Sequence, residues 1–187
     1  MKDINAWIKN VQDLLGRLKD LDFGYPLGVN DVLAPQQSSV VEHGLRVAHA
    51  SDLEDLRAFY TSCDGVSLPD VHVGYFIKSV TKLGIADPSS EPVEITGEFA
   101  GKVLSFGSTG CGGLFVLSRL TSDVLHLAPG PLDDGIYDGS RGRVKYISAS
   151  FFGFLDCLIA DIQAFVENQR SHSFIWLSSR AKPRNPR

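Results

Sequence analysis

Residues 101–115, GKVLSFGSTGCGGLF, contain two apolar, strand-like runs around a loop with four glycines. A phosphate-binding P-loop requires a Lys and then a Ser or Thr directly after its last glycine, whereas Leu114 and Phe115 follow here. A dinucleotide-binding loop opens a helix, but LFVLS (114–118) is typical of a returning strand. We therefore predict a tight connection between two strands, in which glycine permits a positive φ or a close backbone approach.

Strand patterns continue on both sides of this loop. Short runs rich in Val, Ile, Leu and aromatic residues are separated by turn-forming residues; they are GYFIKSV (74–80), KVLSF (102–106), LFVLS (114–118), DVLHLA (123–128) and RVKYIS (143–148). The short connections between the second, third and fourth runs favour antiparallel pairing. Two loops stand out by their length, 81–100 and 129–142.

Three segments have the apolar spacing of helices. The first begins near Asp3 and stops before Gly24. The second begins at Ser51, which has capping-box spacing from Glu54, and stops at Asp64-Gly65. The third carries a wide apolar stripe formed by Phe151, Leu155, Leu158, Ile162 and Phe165.

Helices at both ends of a run of strands predict an α+β fold. We expect a single, mostly antiparallel central sheet of about five or six strands, with the N- and C-terminal helices packed on one face. The third helix should bury its stripe against the part of the sheet that contains Phe106 and Phe115. The length of 187 residues, the 43% apolar content and the absence of an internal repeat or linker predict one domain.

Composition also limits the cellular context. The N-terminus lacks the apolar core of a signal peptide, and no apolar run could span a bilayer, so we expect a cytoplasmic protein without membrane association. Cys63, Cys111 and Cys157 match neither a disulfide framework nor a zinc-ligand spacing. We expect them to be reduced, with Cys157 buried and Cys111 exposed.

The charge is unevenly distributed along the chain. Residues 1–169 carry 13 basic and 22 acidic side chains, a net charge of −9, and the C-terminal tail (171–187) is basic. An acidic body argues against nucleic acid as a direct ligand, because neutralising phosphates requires clustered Lys and Arg. It favours a basic protein partner. The alternative is that the excess charge is solvated surface that keeps the protein soluble, and that the tail is a loose terminus.

No set of polar residues has the pattern of a metal or catalytic site. Asp133, Asp134 and Asp138 could line a cation site, but their order is not that of an EF-hand loop, and turn formation by Asp and Gly explains them better. His72 and His126 have no assignable role from the sequence. We predict no catalytic residue, no metal and no cofactor.

The order of these elements resembles the SUKH superfamily, the Smi/Knr-type proteins. The resemblance is carried by DLRAFYTSCDGVSLPDVHVGYFI (55–77) with its Asp-Gly turn, by the glycine segment Phe106–Phe115, by DVLHLAPG (123–130) and by the aromatic start of the last helix, Ser150–Leu155. It is clearest over residues 51–168. An acidic residue is usual in the glycine segment of the family, and Thr109 and Cys111 occupy that region here.

The resemblance implies a non-enzymatic, protein-binding domain. Many bacterial members look like immunity proteins that neutralise a toxin domain, often a nuclease or deaminase, encoded beside them; eukaryotic relatives act as regulatory scaffolds. The leading hypothesis is therefore an immunity-type protein that binds a basic toxin domain through an acidic surface with exposed Tyr75 or Tyr137. The candidate partner-binding residues are Asp64, Asp70, Tyr75, Thr109, Cys111, Asp133, Asp134, Tyr137 and Asp138.

Two alternatives stay open. One is a regulatory scaffold of the Smi/Knr type. The other is a small-molecule-binding protein or enzyme with a pocket near the glycine loop, for which Cys111, Thr109 and Asp64 are the plausible polar groups. A deep pocket with perturbed ionisable groups would favour the small-molecule hypothesis, whereas a broad acidic face with exposed aromatic residues would favour protein binding.

Overall fold

The computed structural model describes residues 3–50, 53–85 and 87–167. These residues form an α+β fold, as the sequence predicted. The fold has four α-helices and ten strands, which is more strands than the five or six expected. The helices are α1 (Ile4–Leu18), α2 (Ser38–Val47), α3 (Glu54–Ser62) and α4 (Phe151–Val166). The strands are β1 (Asp31–Val32), β2 (Val66–Leu68), β3 (Tyr75–Ile77), β4 (Glu94–Ile95), β5 (Gly101–Thr109), β6 (Leu114–Ser118), β7 (Val124–Leu127), β8 (Leu132–Asp133), β9 (Ile136–Tyr137) and β10 (Val144–Ser148).

Two of the predictions fall outside the described residues. They are the capping role of Ser51 and the basic tail at 171–187. Within the described residues, α3 begins at Glu54, and no helix is long and apolar enough to cross a membrane.

The main sheet has the order β1–β2–β3–β5–β6–β7–β10, and all its pairs are antiparallel. The long strand β5 also pairs, through Gly101 and Lys102, with β4. β4 then pairs in parallel with β9, and β9 pairs antiparallel with β8. The five strands that the sequence did not predict, β1, β2, β4, β8 and β9, have only two or three residues each, too few to show an alternating pattern.

The helices cover one face of the sheet. Leu155, Leu158, Ile162 and Phe165 of α4 are all buried, as predicted. The ring of Phe154 lies 5.2 Å from that of Phe106 and 5.0 Å from that of Phe115, measured between centroids. α1 packs beside α4, and the indole Nε1 of Trp7 donates to the carbonyl of Leu155 across 3.0 Å. The predicted packing of both terminal helices on one face is therefore confirmed.

The opposite face of the sheet is covered by the two long loops. They contribute Ile95, Phe99, Leu132 and Tyr137 to a second, smaller core with β5, β6, β7 and β10, whose members there include Val103, Val116, Leu125 and Tyr146. Because the loops bury these side chains, they are ordered parts of the fold that hold β4, β8 and β9 in place. The surface of the second face is consequently made of loop residues.

Helix α2 lies outside the three segments that the sequence predicted to be helical. Its interior contains Gly44, which is unfavourable in a helix by roughly 1 kcal/mol relative to Ala. A Cβ at this position would lie 2.6 Å from the carbonyl oxygen of Val80. The glycine is therefore explained by tertiary contact, since it lets α2 pack closely against the short 3₁₀ turn Val80–Lys82.

Candidate functional site

The glycine loop is the tight connection that the sequence predicted, and it leads into β6 rather than a helix. Gly112 has a φ of +83°. The backbone N–H of Gly113 donates to Oγ1 of Thr109 at 3.0 Å, and the N–H of Thr109 donates to the carbonyl of Gly113 at 2.8 Å. A Cβ at Gly113 would lie 2.3 Å from Nε2 of His126. One glycine thus provides a positive φ and another permits close packing.

Thr109 and Cys111, both candidate residues, lie at this loop. The thiol of Cys111 is exposed, as predicted, and lies 3.2 Å from the buried hydroxyl of Thr109. The third polar group proposed for a pocket here, Asp64, precedes β2 at the end remote from the pairing of Leu68, Tyr75 and Thr109. The structure therefore does not bring the three groups together.

Asp64 and Asp70 have structural surroundings. The carboxylate of Asp64 is buried and accepts hydrogen bonds from Ser79 Oγ at 2.6 Å, the backbone N–H of Val80 at 2.8 Å and Gln36 Nε2 at 2.8 Å. The expectation that Asp64 belongs to an acidic surface is wrong. Asp70, which is half-buried, accepts from the N–H of Gly28 and from Asn30 Nδ2, and so anchors the segment before β1.

The predicted exposure of Tyr75 is wrong. Strand alternation turns Tyr75 and Ile77 of β3 towards the helices, and Tyr75 is only 1% exposed. Its hydroxyl donates to Oδ2 of Asp161 at 2.5 Å. Nε2 of His72 lies 3.7 Å from the same oxygen, and both of these side chains are buried. A buried carboxylate requires such partners, because an uncompensated charge is costly in the interior.

Asp161 itself does not belong to the apolar stripe predicted for the last helix, yet it is fully buried. Helical periodicity could not reveal this, because the spacing of the apolar residues around it says nothing about a hydroxyl on a distant strand.

His126 is a second buried polar residue on the same side of the sheet. Burial and the positive charge of Lys145 lower the pKa of His126 to about 4. This imidazole is therefore neutral near pH 7.

Tyr137 is also buried, contrary to the prediction. In β9 the alternation turns Tyr137 into the second core and its neighbour Ile136 outwards. The Tyr137 hydroxyl donates to the carbonyl of Ala128 at 2.9 Å. The exposed apolar residue of this hairpin is consequently an isoleucine and not a tyrosine.

Ile136 lies at the centre of an acidic surface. Asp134, with a φ of +43°, and Gly135, with a φ of +77°, form the two-residue turn between β8 and β9. Ile136, which is 43% exposed, is directly opposite Asp133 on β8 and directly opposite Glu94 on β4. We name the set Val93, Glu94, Asp133, Asp134 and Ile136 the acidic face.

Val93 extends the apolar part of the acidic face. It is 46% exposed, and its N–H donates to the carbonyl of Gly135 at 2.8 Å. The segments that form this layer, 87–99 and 129–142, contain seven acidic side chains and a single basic one, Arg141. The paired loops therefore carry more acidic than basic side chains, and Glu94 and Asp133 flank the exposed Ile136.

Asp138 forms a turn, which agrees with the interpretation of these aspartates as turn residues. Its Oδ1 accepts from Oγ of Ser140 at 2.6 Å and from the N–H of Ser140 at 3.0 Å. The hydrogen bonds from Ser140 lower the pKa of the Asp138 carboxyl. Among residues 3–50, 53–85 and 87–167, no group of three or more His, Cys, Asp and Glu side chains is placed to hold a metal ion.

The structure thus divides the predicted site residues. Asp133 and Asp134 belong to one exposed surface with Asp138 nearby, whereas Asp64, Asp70, Tyr75, Thr109 and Tyr137 support the fold. The sequence missed Glu94 and Ile136. The length of loop 81–100 was the only signal for Glu94, and the alternation of Ile136 with Tyr137 could have suggested the exposed isoleucine.

The sequence was compared with known proteins. No protein-family model matches the chain, and no curated protein matches it.

Proposed function

We propose that this chain is a non-enzymatic, protein-binding module of the immunity type, which neutralises a basic toxin domain by binding it through the acidic face. One observation carries the proposal: Ile136 is exposed between two carboxylate-bearing residues, Glu94 and Asp133, in adjacent strands. An apolar centre within a charged rim is the usual anatomy of a protein–protein interface.

The strands beneath this surface support the proposal. β4, β8 and β9 are held by buried Ile95 and Tyr137, so the outward side chains have a preformed backbone. Preorganised surfaces lose less conformational entropy on binding than mobile loops do. The acidic side chains would accelerate encounter with a basic partner, while Ile136 and Val93 would hold the complex together.

The acidic body and the resemblance to the SUKH superfamily agree with this role. The net charge of −9 over residues 1–169 would attract a basic nuclease-like domain over distances comparable to the Debye length. The same charge opposes binding to nucleic acid. A nuclease is also a partner for which an acidic protein surface can occupy the site of the phosphate backbone.

The test is an association-rate measurement with the toxin domain encoded beside this chain, across a range of ionic strengths. The variant is Asp133→Lys with Asp134→Asn, because Asn tolerates the left-handed backbone at position 134. We expect slower association and a weaker dependence on salt. Circular dichroism checks that the fold is intact.

The control variant changes the net charge by the same amount elsewhere. Asp20→Lys with Asp31→Asn alters two exposed residues outside the acidic face. If both variants slow association equally, only the overall charge matters and the acidic face is not the binding surface. Salt-independent binding of the unmodified protein would also contradict the proposal.

A further inference from the structure

A cavity of about 540 Å³ lies at the end of the β5–β6 hairpin remote from the glycine loop. It is bounded by the C-terminal end of α2, by the first half of β5 and by the loop that leads to β4. Its lining residues include Val47, Val93, Lys102, Val103, Leu104 and Arg119. The volume is within the range of small-molecule sites, about 300–1,000 Å³.

The lining of this cavity is basic, although the body of the protein is acidic. His49, Lys102 and Arg119 line it together with one acidic residue, Glu91. Both carboxylate oxygens of Glu91 accept hydrogen bonds from Nζ of Lys78, so its charge is compensated. Because Glu91 is already paired with Lys78, its charge does not neutralise the basic residues of the lining.

Lys102 and Arg119 are held side by side. The backbone N–H of Arg119 donates to the carbonyl of Lys102 at 2.9 Å. The guanidinium of Arg119 donates to the carbonyls of Ala48 and His49, which fixes its position. Among the described residues Lys102 forms no ion pair, although Glu94 is directly opposite on β4.

Apolar side chains form the remainder of the cavity. Val103 and Leu104 are buried on β5, and Val47 of α2, 41% exposed, lies at the wall. A ligand that fits must therefore combine an apolar body with a negative charge. Water alone would leave the aliphatic walls hydrated, at a cost that an apolar ligand relieves.

We propose that this cavity binds a small organic anion, a carboxylate or phosphate on an apolar body, with its charge at Lys102 and its body against Val47 and Val103. The proposal does not depend on the proposed function, because the acidic face shares only Val93 with the lining of the cavity. It assigns the chain a ligand as well as a protein partner.

The test is a titration of the ¹⁵N-labelled protein with octanoate, and separately with octanol, followed by amide chemical shifts. We expect octanoate to shift the amides of residues 47–49, 91, 93 and 102–105, and octanol to bind at least about tenfold more weakly because it lacks the charge. Shifts confined to other regions, or equal affinity for both probes, would overturn the proposal.

Two variants with matched controls examine the charge and the cavity separately. Lys102→Glu should weaken octanoate binding about tenfold or more, whereas Lys19→Glu, at an exposed residue outside the lining, should not change it. Val47→Trp should block binding by filling the cavity, whereas Val29→Trp, on an exposed residue elsewhere, should leave it intact. An effect of Val47→Trp without an effect of Lys102→Glu would refute the anion site.

One further variant separates this inference from the proposed function. Glu94→Gln removes the carboxylate opposite Lys102 and one charge of the acidic face. We expect it to strengthen octanoate binding and to slow association with the basic toxin domain. Weaker octanoate binding would contradict the cavity proposal alone, and unchanged association would contradict the acidic face alone.

Discussion

At the scale of single residues, the glycine loop contains glycines of two kinds. Gly112 has a φ of +83° and only Pro129 near the position of a Cβ. Gly113 has no positive φ, but a Cβ there would lie 2.3 Å from Nε2 of His126 and 2.9 Å from Oγ1 of Thr109. The first glycine is required by backbone conformation and the second by space.

This difference is testable with a double-mutant cycle. Gly113→Ala should lower the free energy of unfolding by about 1–3 kcal/mol through overpacking, and much of that loss should disappear when His126→Ala opens the space. Gly112→Ala should cost about 1–2 kcal/mol in either background, because its strain is in the backbone. Urea unfolding of the six proteins gives both couplings. Additive effects at 113 and 126 would show that the two residues do not compete for space.

His126 also predicts a dependence of stability on pH. Its pKa is lowered to about 4 in the folded protein, mainly by burial, against about 6.5 when unfolded. The unfolded chain therefore binds more protons between these values, so stability is full above about pH 6.5 and falls as the pH decreases towards 4. The loss attributable to this group approaches roughly 3 kcal/mol.

The measurement compares wild type and His126→Phe by urea unfolding from pH 7 to about pH 4. The variant should lose stability less steeply over that interval, because the titrating group is gone. Parallel pH profiles for the two proteins would contradict the assignment of this slope to His126.

At the scale of elements, α2 and the β8–β9 hairpin both depend on tertiary contacts. α2 has ten residues and no side-chain hydrogen bond at its N-cap. Isolated helices of this length are marginal in water. β8 and β9 have two residues each, and they persist because Leu132 and Tyr137 pack in the second core.

Two helical glycines should respond in opposite ways to substitution by alanine. Gly44→Ala in α2 would bring a Cβ within 2.6 Å of the carbonyl oxygen of Val80, so we expect destabilisation despite the better helix propensity. Gly16→Ala in α1 meets nothing within 4 Å and should stabilise by about 0.5–1 kcal/mol. Thermal or urea unfolding provides the sign of each effect. Stabilisation by Gly44→Ala would mean that α2 does not pack closely on the 3₁₀ turn.

At the scale of the whole molecule, the two faces of the sheet differ in what covers them. Helices α1 and α4 pack on one face and form the larger core together with the sheet and the other helices. The loops on the other face bury one side of β4, β8 and β9 and expose the acidic face on the opposite side.

A substitution of Ile136 tests whether the acidic face acts in binding. Ile136→Ala should accelerate dissociation from the proposed toxin partner by about tenfold or more, because interface centres contribute most to complex lifetime, while the stability of the free protein should change little. Leu120→Ala, on an exposed residue at the β6–β7 turn, is the control and should have no effect. Kinetic binding measurements decide between these outcomes. Equal dissociation rates for wild type and Ile136→Ala would exclude Ile136 as an anchor.

Local sequence patterns alone predicted the α+β class, the long helices and the strands on both sides of the glycine loop. The stripe of Leu155, Leu158 and Ile162 was sufficient to predict α4 and its buried face, since helical spacing is a local pattern of the chain. The turn roles of Asp134-Gly135 and Asp138 were accessible for the same reason.

Contacts between distant residues determined what periodicity could not predict. The buried carboxylate of Asp161 is satisfied by the hydroxyl of a tyrosine 86 residues away. Glycine is required at position 44 of α2 because Val80 leaves no space for a side chain. The acidic face exists only because loop 81–100 pairs with loop 129–142 and brings Glu94 beside Ile136. Pairing between separate short strands leaves no local periodic signal, and only the tertiary structure could therefore reveal this surface.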